Sequence, residues 1–476
     1  MPAMKILAPF KVLAGLSALF LLAGPFYSFA QDSIRTRLDA YMHAAEKTGF
    51  NGDVLTAKNG KIVYQQAFGY RNFDSRALLD NQSAFTLCSV SKQFTAMAVM
   101  LLKEQHKLKL TDTLRKYFPE LPYHDITIAN MLTHTSGLPD YQLLMVHNWN
   151  HNNVAGNADL IKMLADKKPP VFFKPGEKYR YCNTAYALLA SIVEKVSGQP
   201  LKDFMSARIF MPLNMMSSAL YNPAIDHKND KIADYADGVV YADTLKRYVP
   251  AMMAYPLVYY LAGIVGDGGV SSTTGDLLKW DRALKNNTLL NKHDQEDMFG
   301  PHALIDTLSK IYYGYGVVTG KSDLGPYIAH EGIWPGYRTC LTRYTDRDIT
   351  IIVLSNNESD AVGTSRALSY IMHGKEVVPP YQHKEIAIDP QKLMPLAGTY
   401  LSPAPVQIIA VNGKLYRHRA GTPDIELKPE SDTKFFYADS SDRQVEFTVD
   451  ANGNVLKAYL IANGVRSELV KQKRKS

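Results

Sequence analysis

The sequence predicts an α+β fold, a three-layer α/β/α arrangement with an antiparallel sheet and a helical subdomain, followed by a small all-β barrel. Three observations predict it: a hairpin near the beginning, helices through the middle, and strands again at 326–356. Short strand-like runs then follow a proline-rich break at 378–380. The 476 residues, of which 46% are hydrophobic, are enough to bury a large core.

The first 30 residues resemble a cleavable targeting segment. Lys5 and Lys11 precede or flank an apolar run at 12–23, and Ser28-Phe29-Ala30 offers a small-x-small site with cleavage predicted after Ala30. The apolar run is shorter than the about 20 residues that span a membrane. We therefore expect a periplasmic or secreted protein with no stable membrane anchor once the segment is removed.

Each remaining element has its own local signal. Helical apolar spacing marks 34–45, and Asn59-Gly60 between two alternating runs predicts a hairpin of 52–58 with 61–70. A second periodic run at 183–196 ends at Ser197-Gly198, which predicts a helix end. Strands are predicted at 327–330, 337–344 and 349–355.

A domain boundary is predicted near the break. We place one domain at 31–375, a linker at 376–390 and a barrel at 391–476, where short alternating runs are separated by Asn-Gly turns. A barrel loop that reached into the cleft of the first domain would restrict substrate size, and we predict that deleting the residues after about 385 changes specificity more than it changes the chemistry.

Charge and cysteine content narrow the possible partners. There are 53 basic and 46 acidic residues, but no basic run interleaved with aromatics, so no nucleic-acid partner is expected.

The three cysteines are Cys88, Cys182 and Cys340. An odd number excludes a fully paired framework. A disulfide between Cys88 and Cys182 is conceivable, but buried free thiols are favoured. A role for Cys88 as a nucleophile is disfavoured, because no His or Asp pattern is placed to activate it.

Ser89-Val90-Ser91-Lys92 carries the clearest chemical signal. It opens an apolar helical run at 94–102, where residues three apart lie on one face, so the hydroxyl and the amine can share a proton. A desolvated neutral lysine can activate a serine in this way. Ser431 and Lys434 have the same spacing, so the pattern needs support from elsewhere in the chain.

Two further motifs supply that support: Tyr181-Cys182-Asn183 and His330-Glu331-Gly332. Tyr181 follows a turn and precedes a helix, which suits a side chain that projects into a cleft. We expect His330 to end a strand, with Gly332 letting a substrate approach the strand edge closely. Trp334 is a further candidate for lining the pocket.

With these motifs the chain resembles the serine β-lactamase/penicillin-binding family, in the branch that holds class C β-lactamases, DD-peptidases, D-aminopeptidases and related esterases. The resemblance spans roughly 33–373 and implies the β-lactamase/transpeptidase-like fold. The supporting segments are Leu132–Pro139, Phe173–Gly176, Gly268–Ser272 and Tyr313–Gly316. Residues 396–400 and the strand rhythm after them resemble a lipocalin-like barrel found in some bacterial members.

The resemblance implies a role for each matched residue. Ser89 would form an acyl-enzyme, Lys92 would accept its proton, and Tyr181 would pass a proton to the leaving group and later help to activate water. The backbone N–H groups of Ser89 and Ile333 would form the oxyanion hole, and Asn183 would bind a substrate amide. His330, Glu331 and Gly332 would belong to the third catalytic and substrate-binding motif. No metal and no organic cofactor is implied.

The third motif departs from the family pattern. Relatives that bind a substrate carboxylate present Lys-Thr-Gly or His-Thr-Gly there. His330 would be mostly neutral at pH 7, and Glu331 would place a like charge beside the carboxylate, a repulsion of roughly 4 kcal/mol at 4 Å and an effective dielectric of 20. Penicillins and peptides with a free C-terminal carboxylate should therefore be poor substrates, and neutral or amino-terminated esters and amides better ones.

The predicted function is an exported serine hydrolase that cleaves an ester or amide through an acyl-serine intermediate. Its substrate is a small molecule or a peptide, with D-amino-acid peptides as one candidate. A β-lactamase or DD-carboxypeptidase is an alternative. A second alternative is a non-hydrolytic, penicillin-receptor-like binding protein. The oligomeric state is left open.

Overall fold

The structure is a computed structural model that describes residues 24–226, 232–402, 404–439 and 441–472. Most of the predicted targeting segment lies outside these residues, and 24–30 form the beginning of the first helix. Within the described residues, no helix is both long and apolar enough to cross a bilayer.

The helices are α1 (Gly24–Lys47), α2 (Lys92–Glu104), α3 (Leu114–Tyr117), α4 (Ile128–Leu132), α5 (Tyr141–Asn148), α6 (Asn157–Lys167), α7 (Asn183–Ser197), α8 (Leu201–Met205), α9 (Ala251–Ala254), α10 (Leu257–Tyr260), α11 (Thr274–Lys285), α12 (Lys292–Met298) and α13 (Ala361–Met372). Short 3₁₀ turns occur at Cys88–Ser91, Pro390–Lys392 and Met394–Leu396, and a π turn at Ser206–Phe210. Helix α7 ends at Gly198 in the left-handed conformation, as its sequence predicts.

The strands are β1 (Gly52–Lys58), β2 (Lys61–Phe68), β3 (Tyr70–Asn72), β4 (Ala77–Leu78), β5 (Phe85–Thr86), β6 (Ala219–Leu220), β7 (Val239–Ala242), β8 (Arg247–Pro250), β9 (Val270–Ser272), β10 (Ala303–Asp306), β11 (Ile311–Tyr313), β12 (Val318–Ser322), β13 (Gly325–Trp334), β14 (Tyr337–Tyr344), β15 (Ile349–Ser355), β16 (Gly398–Ser402), β17 (Ala404–Val411), β18 (Lys414–His418), β19 (Ile425–Pro429), β20 (Lys434–Tyr437), β21 (Arg443–Val449), β22 (Val455–Ala462) and β23 (Val465–Lys471). An eight-stranded antiparallel sheet runs in the order β10-β11-β12-β13-β14-β15-β1-β2, so strands from both ends of the domain meet at β15–β1.

The sheet separates two helical layers, as alternation along β15 shows. Ile351 and Val353 pack in the core with α1 and α13, whereas Ile352 and Leu354 pack in the larger core that holds α2 and the helical subdomain. Successive side chains of a strand point to opposite faces, so both faces of this buried strand must be apolar. The three-layer fold predicted from the sequence is confirmed.

Strand β13 is longer than the sequence predicted. The prediction ended it at His330, but the strand continues to Trp334 and forms a tight turn into β14, with Trp334 opposite Tyr337. Pairing with β12 stops at Ala329. Within the described residues, 330–334 therefore have β14 on one side and an open strand edge on the other, and this edge faces the cleft described below.

The C-terminal strands β16–β23 form a closed barrel. The segment before it is tied to its surface, since Val378 N–H donates to the Gly464 carbonyl at 3.0 Å and Tyr381 Oη donates to Glu430 at 2.7 Å. The barrel touches the α1–α13 layer, where Asn463 Nδ2 donates to Asp360 at 2.9 Å. Ser431 and Lys434 lie in a barrel turn, with Ser431 Oγ accepting the Lys434 N–H at 3.0 Å, and this explains their catalytic-looking spacing.

Candidate active site

The segment that carries Ser89 is clamped between two parts of the main domain. Leu87 N–H donates to the Val270 carbonyl at 2.8 Å, and the Leu87 carbonyl accepts from Thr339 Oγ1 at 2.8 Å. Cys88 is held at a φ of 51°, a left-handed conformation that is uncommon outside glycine. These restraints turn the chain sharply, so that Ser89 is presented at the start of the 3₁₀ turn leading into α2.

The structure explains the glycine at position 332, Gly332, in a way that differs from the prediction. A Cβ at this position would come within 2.3 Å of the Leu87 carbonyl oxygen and 2.9 Å of the Cys88 Cβ. The glycine thus lets β13 lie directly against the Ser89 segment, and the surface that needs it is this segment rather than a bound substrate. The same contact brings the backbone of Ile333 next to that of Ser89.

Lys92 is fully buried beneath Ser89 and has three acceptors for its three ammonium protons. Its Nζ lies 3.0 Å from Ser89 Oγ, 2.9 Å from Asn183 Oδ1 and 2.7 Å from the Asp267 carbonyl oxygen. When Lys92 loses a proton, Asn183 and Asp267 still accept from it, and the lone pair is left facing the Ser89 hydroxyl. The geometry therefore suits the transfer of the serine proton to the amine.

Burial lowers the pKa of Lys92 to about 8, while the negative charge of Asp267 acts in the opposite direction. At pH 7 roughly a tenth of a lysine with that pKa is neutral, compared with well under a thousandth at the ordinary value. The Asp267 carboxylate is itself buried and accepts from Tyr141 Oη at 3.0 Å. The amine can thus serve as a base near neutral pH without losing its charge entirely.

Tyr181 lies above the same amine, which is 4.9 Å from the centre of its ring. Its other side packs on the buried ring of His134, with ring centres 4.2 Å apart. His134 Nδ1 accepts the Cys182 N–H at 3.0 Å, so the histidine fixes the backbone beside Tyr181, as expected of a structural residue. Burial raises the pKa of the Tyr181 phenol well above its usual value, although the residue is 38% exposed overall. The phenol therefore holds its proton at neutral pH.

His330 is buried with both ring nitrogens engaged. Nε2 lies 2.8 Å from Tyr313 Oη and Nδ1 lies 2.6 Å from the Glu331 carbonyl oxygen. Because a carbonyl only accepts, Nδ1 carries the hydrogen and Nε2 accepts from Tyr313. Burial lowers the pKa of His330 to about 3, with the Lys92 charge acting in the same direction. The imidazole is neutral at every physiological pH, and among the described contacts it has no hydrogen bond to Ser89 or Lys92.

Ser89, Asn183 and Ile333 lie where two branches of a cleft meet. The tyrosine branch, a cavity of about 430 Å³, is lined by Tyr179, Tyr181, Ile305, Ile311, Tyr313, Val318, His330 and Glu331. The tryptophan branch begins as a cavity of about 90 Å³ between Asp267 and Trp334. It continues into a distal pocket of about 270 Å³ that shares four of its lining residues, Thr86, Asn222, Val258 and Trp334.

The barrel lines none of these cavities. Every lining residue falls between 72 and 337, and the barrel lies instead against the outer helices α1 and α13. In the part of the chain that the structure describes, no barrel loop therefore reaches these cavities. The physical reason is that Asn463 and Val465–Lys471 dock on the α13 side of the sheet, whereas Ser89 lies on the α2 side.

The charged residues that line the cleft are all acidic. They are Glu331 in the tyrosine branch, Asp267 near Ser89, and Asp74 and Asp237 in the distal pocket. Burial raises the pKa of Glu331, and the nearby charge of Asp360 acts in the same direction. No lysine or arginine lines these cavities within the described residues, because Lys92 lies beneath the floor. The cleft thus has no cationic anchor for a substrate carboxylate.

The three cysteines are free and buried, so the conceivable bridge between Cys88 and Cys182 is absent from the structure. Each of these two thiols lies 3.6 Å from a carbonyl oxygen of its own surroundings, Thr86 and Leu138 respectively. Burial raises the pKa of the Cys88 thiol far above its ordinary value, which removes the thiolate that a nucleophile needs. In the described residues no group of His, Cys, Asp or Glu is arranged to hold a metal ion.

Sequence reasoning missed Asp267, Tyr313 and the part played by Glu331 as a wall of the tyrosine branch. Asp267 directly precedes the Gly268-Gly269 pair, and Tyr313 begins the Tyr-Gly-Tyr-Gly segment, so both stood next to noticed motifs. Their contacts are long-range, 175 positions from Lys92 to Asp267, and a single sequence holds no periodic signal for such a contact.

Comparisons with known proteins show which family the chain resembles. The Beta-lactamase family model matches residues 34–372. Penicillin-binding protein 4* of Bacillus subtilis (strain 168) is 37% identical over 440 residues, covering 90% of this chain and 96% of that protein. A D-aminopeptidase of Brucella canis is 25% identical over 411 residues, covering 82% and 72%. The octameric penicillin-binding protein homologue from Pyrococcus abyssi superposes with a TM-score of 0.65 at 26% identity, covering 92% and 99%.

Proposed function

The chain belongs to the beta-lactamase family of serine hydrolases, and from this premise we propose that it cleaves esters or amides whose leaving group carries no carboxylate near the scissile bond. The observation that carries the proposal is the charge of the cleft, where the charged lining residues are all acidic. A carboxylate entering it would meet Glu331 without a compensating cation.

The reaction starts at Ser89, whose oxygen attacks the substrate carbonyl while its proton passes to neutral Lys92. The tetrahedral adduct collapses, the bond to the leaving group breaks, and the leaving oxygen or nitrogen takes a proton through the Tyr181 phenol from Lys92. Water then attacks the acyl-Ser89 ester and gives a proton to Lys92, and Lys92 passes this proton to the Ser89 oxygen as the acyl–oxygen bond breaks. The serine is restored, and one water molecule has been consumed per bond cleaved.

Two backbone N–H groups are proposed to hold the oxyanion. Ser89 lies at the start of a helical turn, and Ile333 lies on the open edge of β13 that Gly332 holds against the serine segment. Preorganised donors of this kind are each worth about 10²–10³ in rate. Asn183 keeps its amide NH₂ available for a substrate amide, because its oxygen accepts from Lys92.

Neutral His330 supports the proposed substrate class. In the relatives of this chain that bind a substrate carboxylate, a cation at the first position of the third motif would attract that carboxylate. Here burial holds the pKa of His330 at about 3 and Tyr313 occupies its Nε2. Substrates with a free amine or an uncharged end fit this cleft better, and D-aminopeptidase is the name of one of the relatives. Export of the mature protein from residue 31 remains part of the proposal.

A β-lactamase or DD-carboxypeptidase is the second candidate, because a relative that is 37% identical and covers 90% of this chain is named as a penicillin-binding protein. A non-hydrolytic penicillin receptor would share Ser89 and Lys92 but keep its acyl group. Intact-mass measurement distinguishes these cases: a penicilloyl adduct on Ser89 that persists for hours marks a receptor, and one that decays within minutes marks a hydrolase.

The first experiment measures p-nitrophenyl acetate hydrolysis by residues 31–476 and by Ser89→Ala. We expect activity that disappears with the serine. Benzylpenicillin acylation is then compared in wild type, Glu331→Thr and Glu296→Thr, an exposed carboxylate on α12 that serves as the matched control. Glu331→Thr should acylate at least tenfold faster, and the control should behave as wild type. Rapid acylation of the wild type, or no gain in Glu331→Thr, would contradict the proposed substrate class.

A further inference from the structure

The distal pocket of the tryptophan branch has features that the reaction itself does not require. Aromatic residues form part of its wall, and the two charged residues that line it, Asp74 and Asp237, are both acidic. The aromatic members of the wall are Phe73, Tyr235, Tyr248, Trp334 and Tyr337. Aromatic faces together with carboxylates are the surroundings that bind an organic cation and its alkyl chain.

The Asp237 carboxylate is held in a fixed position, and among the described residues it has no cationic partner. Asn72 Nδ2 donates to its Oδ2 at 2.7 Å, its backbone N–H donates to the Arg71 carbonyl at 2.8 Å, and its carbonyl accepts from Asn356 at 2.9 Å. The two nearby arginines are engaged elsewhere. Arg71 pairs with Asp234 at 2.7 Å and Arg338 pairs with Glu358 at 3.3 Å.

The wall behind Asp237 is equally well fixed. Tyr337 Oη donates to the Ala236 carbonyl at 2.8 Å and lies 3.0 Å from Tyr235 Oη, which is 2.7 Å from Thr86 Oγ1. A Cβ at position 238 would meet the Tyr337 ring at 2.3 Å, so Gly238 is needed for this packing. This wall of the pocket is therefore held by hydrogen bonds and packing, and Thr86 connects it to β5, the strand that precedes the Ser89 segment.

The position of Tyr181 decides which part of the substrate enters the distal pocket. Under the proposed mechanism Tyr181 protonates the leaving group, and Tyr181 lines only the tyrosine branch. The leaving group therefore occupies the tyrosine branch, and the acyl group extends past Trp334 along the tryptophan branch. A substituent at the far end of the acyl group would then lie in the distal pocket, which Asp237 lines.

Resting on the proposed function, we propose that the distal pocket is a subsite for a primary ammonium group at the end of the acyl side chain, with Asp237 as its main partner and Asp74 at its rim. The substrate class is thus an ester or amide of an α,ω-diamino acid, with a lysine-like side chain on the acyl side. A metal ion is the less suitable occupant, because no metal-ligand cluster occurs in the described residues.

The test compares p-nitrophenyl esters of Nα-acetyl-lysine and Nα-acetyl-norleucine, in both enantiomers. The two side chains differ by the terminal ammonium group, so the ratio of their kcat/KM values reports on the subsite alone. We expect a preference for lysine of at least tenfold in the faster enantiomer, equal to about 1.4 kcal/mol. The ratio should fall to near one in Asp237→Asn and weaken at high salt.

Asp243→Asn is the matched control, because that carboxylate lies in the turn of the β7–β8 hairpin, which follows Asp237 in the chain, but is 89% exposed and outside the pocket. Its ratio should equal that of the wild type. A wild-type ratio near one, or a ratio that Asp237→Asn leaves unchanged, would overturn the subsite even if p-nitrophenyl acetate is cleaved normally.

If no ester is cleaved in a Ser89-dependent manner, the proposed function fails and a binding measurement decides the subsite separately. Butylammonium chloride is titrated while tryptophan fluorescence is followed, since Trp334 lines the pocket. A saturable change in wild type and Asp243→Asn that is lost in Asp237→Asn supports the subsite. A response that is absent from the wild type, or identical in all three proteins, overturns it.

Discussion

Lys92 and Asp53 are both buried, ionisable and shifted toward the neutral form, but they occupy very different surroundings. Lys92, at the floor of the cleft, has an acceptor for each ammonium proton, one of them Ser89 Oγ. Asp53, where β1 meets α11, accepts from Thr274 Oγ1 at 2.6 Å through Oδ2. Its Oδ1 is buried with no partner among the described residues.

Because of this difference, the pKa shift of Lys92 can be used in catalysis, whereas the pKa shift of Asp53 affects only stability. Burial lowers the pKa of Lys92 to about 8 and raises the pKa of Asp53 to about 7. The lone pair of neutral Lys92 faces a nucleophile, whereas neutral Asp53 lies between β1 and α11, beside Thr274. Replacing each residue by a neutral side chain of similar size should therefore give opposite phenotypes.

The largest effect is expected for Lys92→Met. Methionine fills most of the same volume but offers no base, so kcat/KM for p-nitrophenyl acetate should fall by about 10²–10⁴ while the protein stays folded. Circular dichroism checks the fold. Asp53→Asn provides the comparison, with kinetics like those of the wild type. Retention of more than a tenth of the activity in Lys92→Met would mean that another group deprotonates Ser89.

The pH dependence of the wild type sharpens the same comparison. Only neutral Lys92 can accept the serine proton, so kcat/KM should rise with pH along a single limb that levels off near pH 8. Below pH 7 it should fall about tenfold per pH unit. No further change from Tyr181 should appear below pH 10, because the pKa of its phenol is raised. A plateau that already begins at pH 6 would contradict Lys92 as the base.

Asp267→Asn should move that limb without abolishing activity. The Asp267 charge favours the ammonium form of Lys92, so the amide should lower the pKa of Lys92 and shift the limb to lower pH. The Asp267 backbone carbonyl that accepts from Lys92 is kept, and the side-chain amide oxygen can still accept from Tyr141. Activity at pH 6 should rise relative to activity at pH 9. A limb that shifts to higher pH would show that the Asp267 charge does not raise the pKa of Lys92.

Local chemistry explains which parts of the fold could be predicted. Asn59 and Gly60 have φ values of 53° and 74°, the pair of positive values that an Asn-Gly hairpin turn needs, so β1 and β2 were predicted correctly. The end of β13 was missed although Pro335-Gly336 marks a turn, because Gly332 weakened the apparent strand pattern. The strand has a glycine there because a Cβ would clash with the Leu87 carbonyl, which is more than 240 positions away in the sequence.

The same distinction holds at the site. Ser89 and Lys92 are neighbours on one turn, so their pairing could be predicted from spacing alone, and the structure places them 3.0 Å apart. The neutral state of His330 could not be predicted from spacing, because it depends on Tyr313, which lies on a separate strand, and on the burial of the imidazole. Several of the barrel strands could be predicted from their turn signals, whereas the face on which the barrel docks involves contacts such as that between Asn463 and Asp360, which no local pattern links.

The smallest expected effect concerns stability and not catalysis. An acid whose pKa is raised by folding contributes stability that is fully present below its unfolded value, near pH 4, and that is lost as pH rises through its folded value of about 7. Over this window Asp53 should cost the wild type roughly 4 kcal/mol at most. Asp53→Asn keeps an acceptor for Thr274 but cannot ionise, so its free energy of unfolding should fall less between pH 5 and pH 8. Urea denaturation at the two pH values measures this, with Lys92→Met as a control that retains Asp53. Equal pH dependence in wild type and Asp53→Asn would mean that water or a local rearrangement stabilises the Asp53 carboxylate, and that burial alone does not distinguish the two sites.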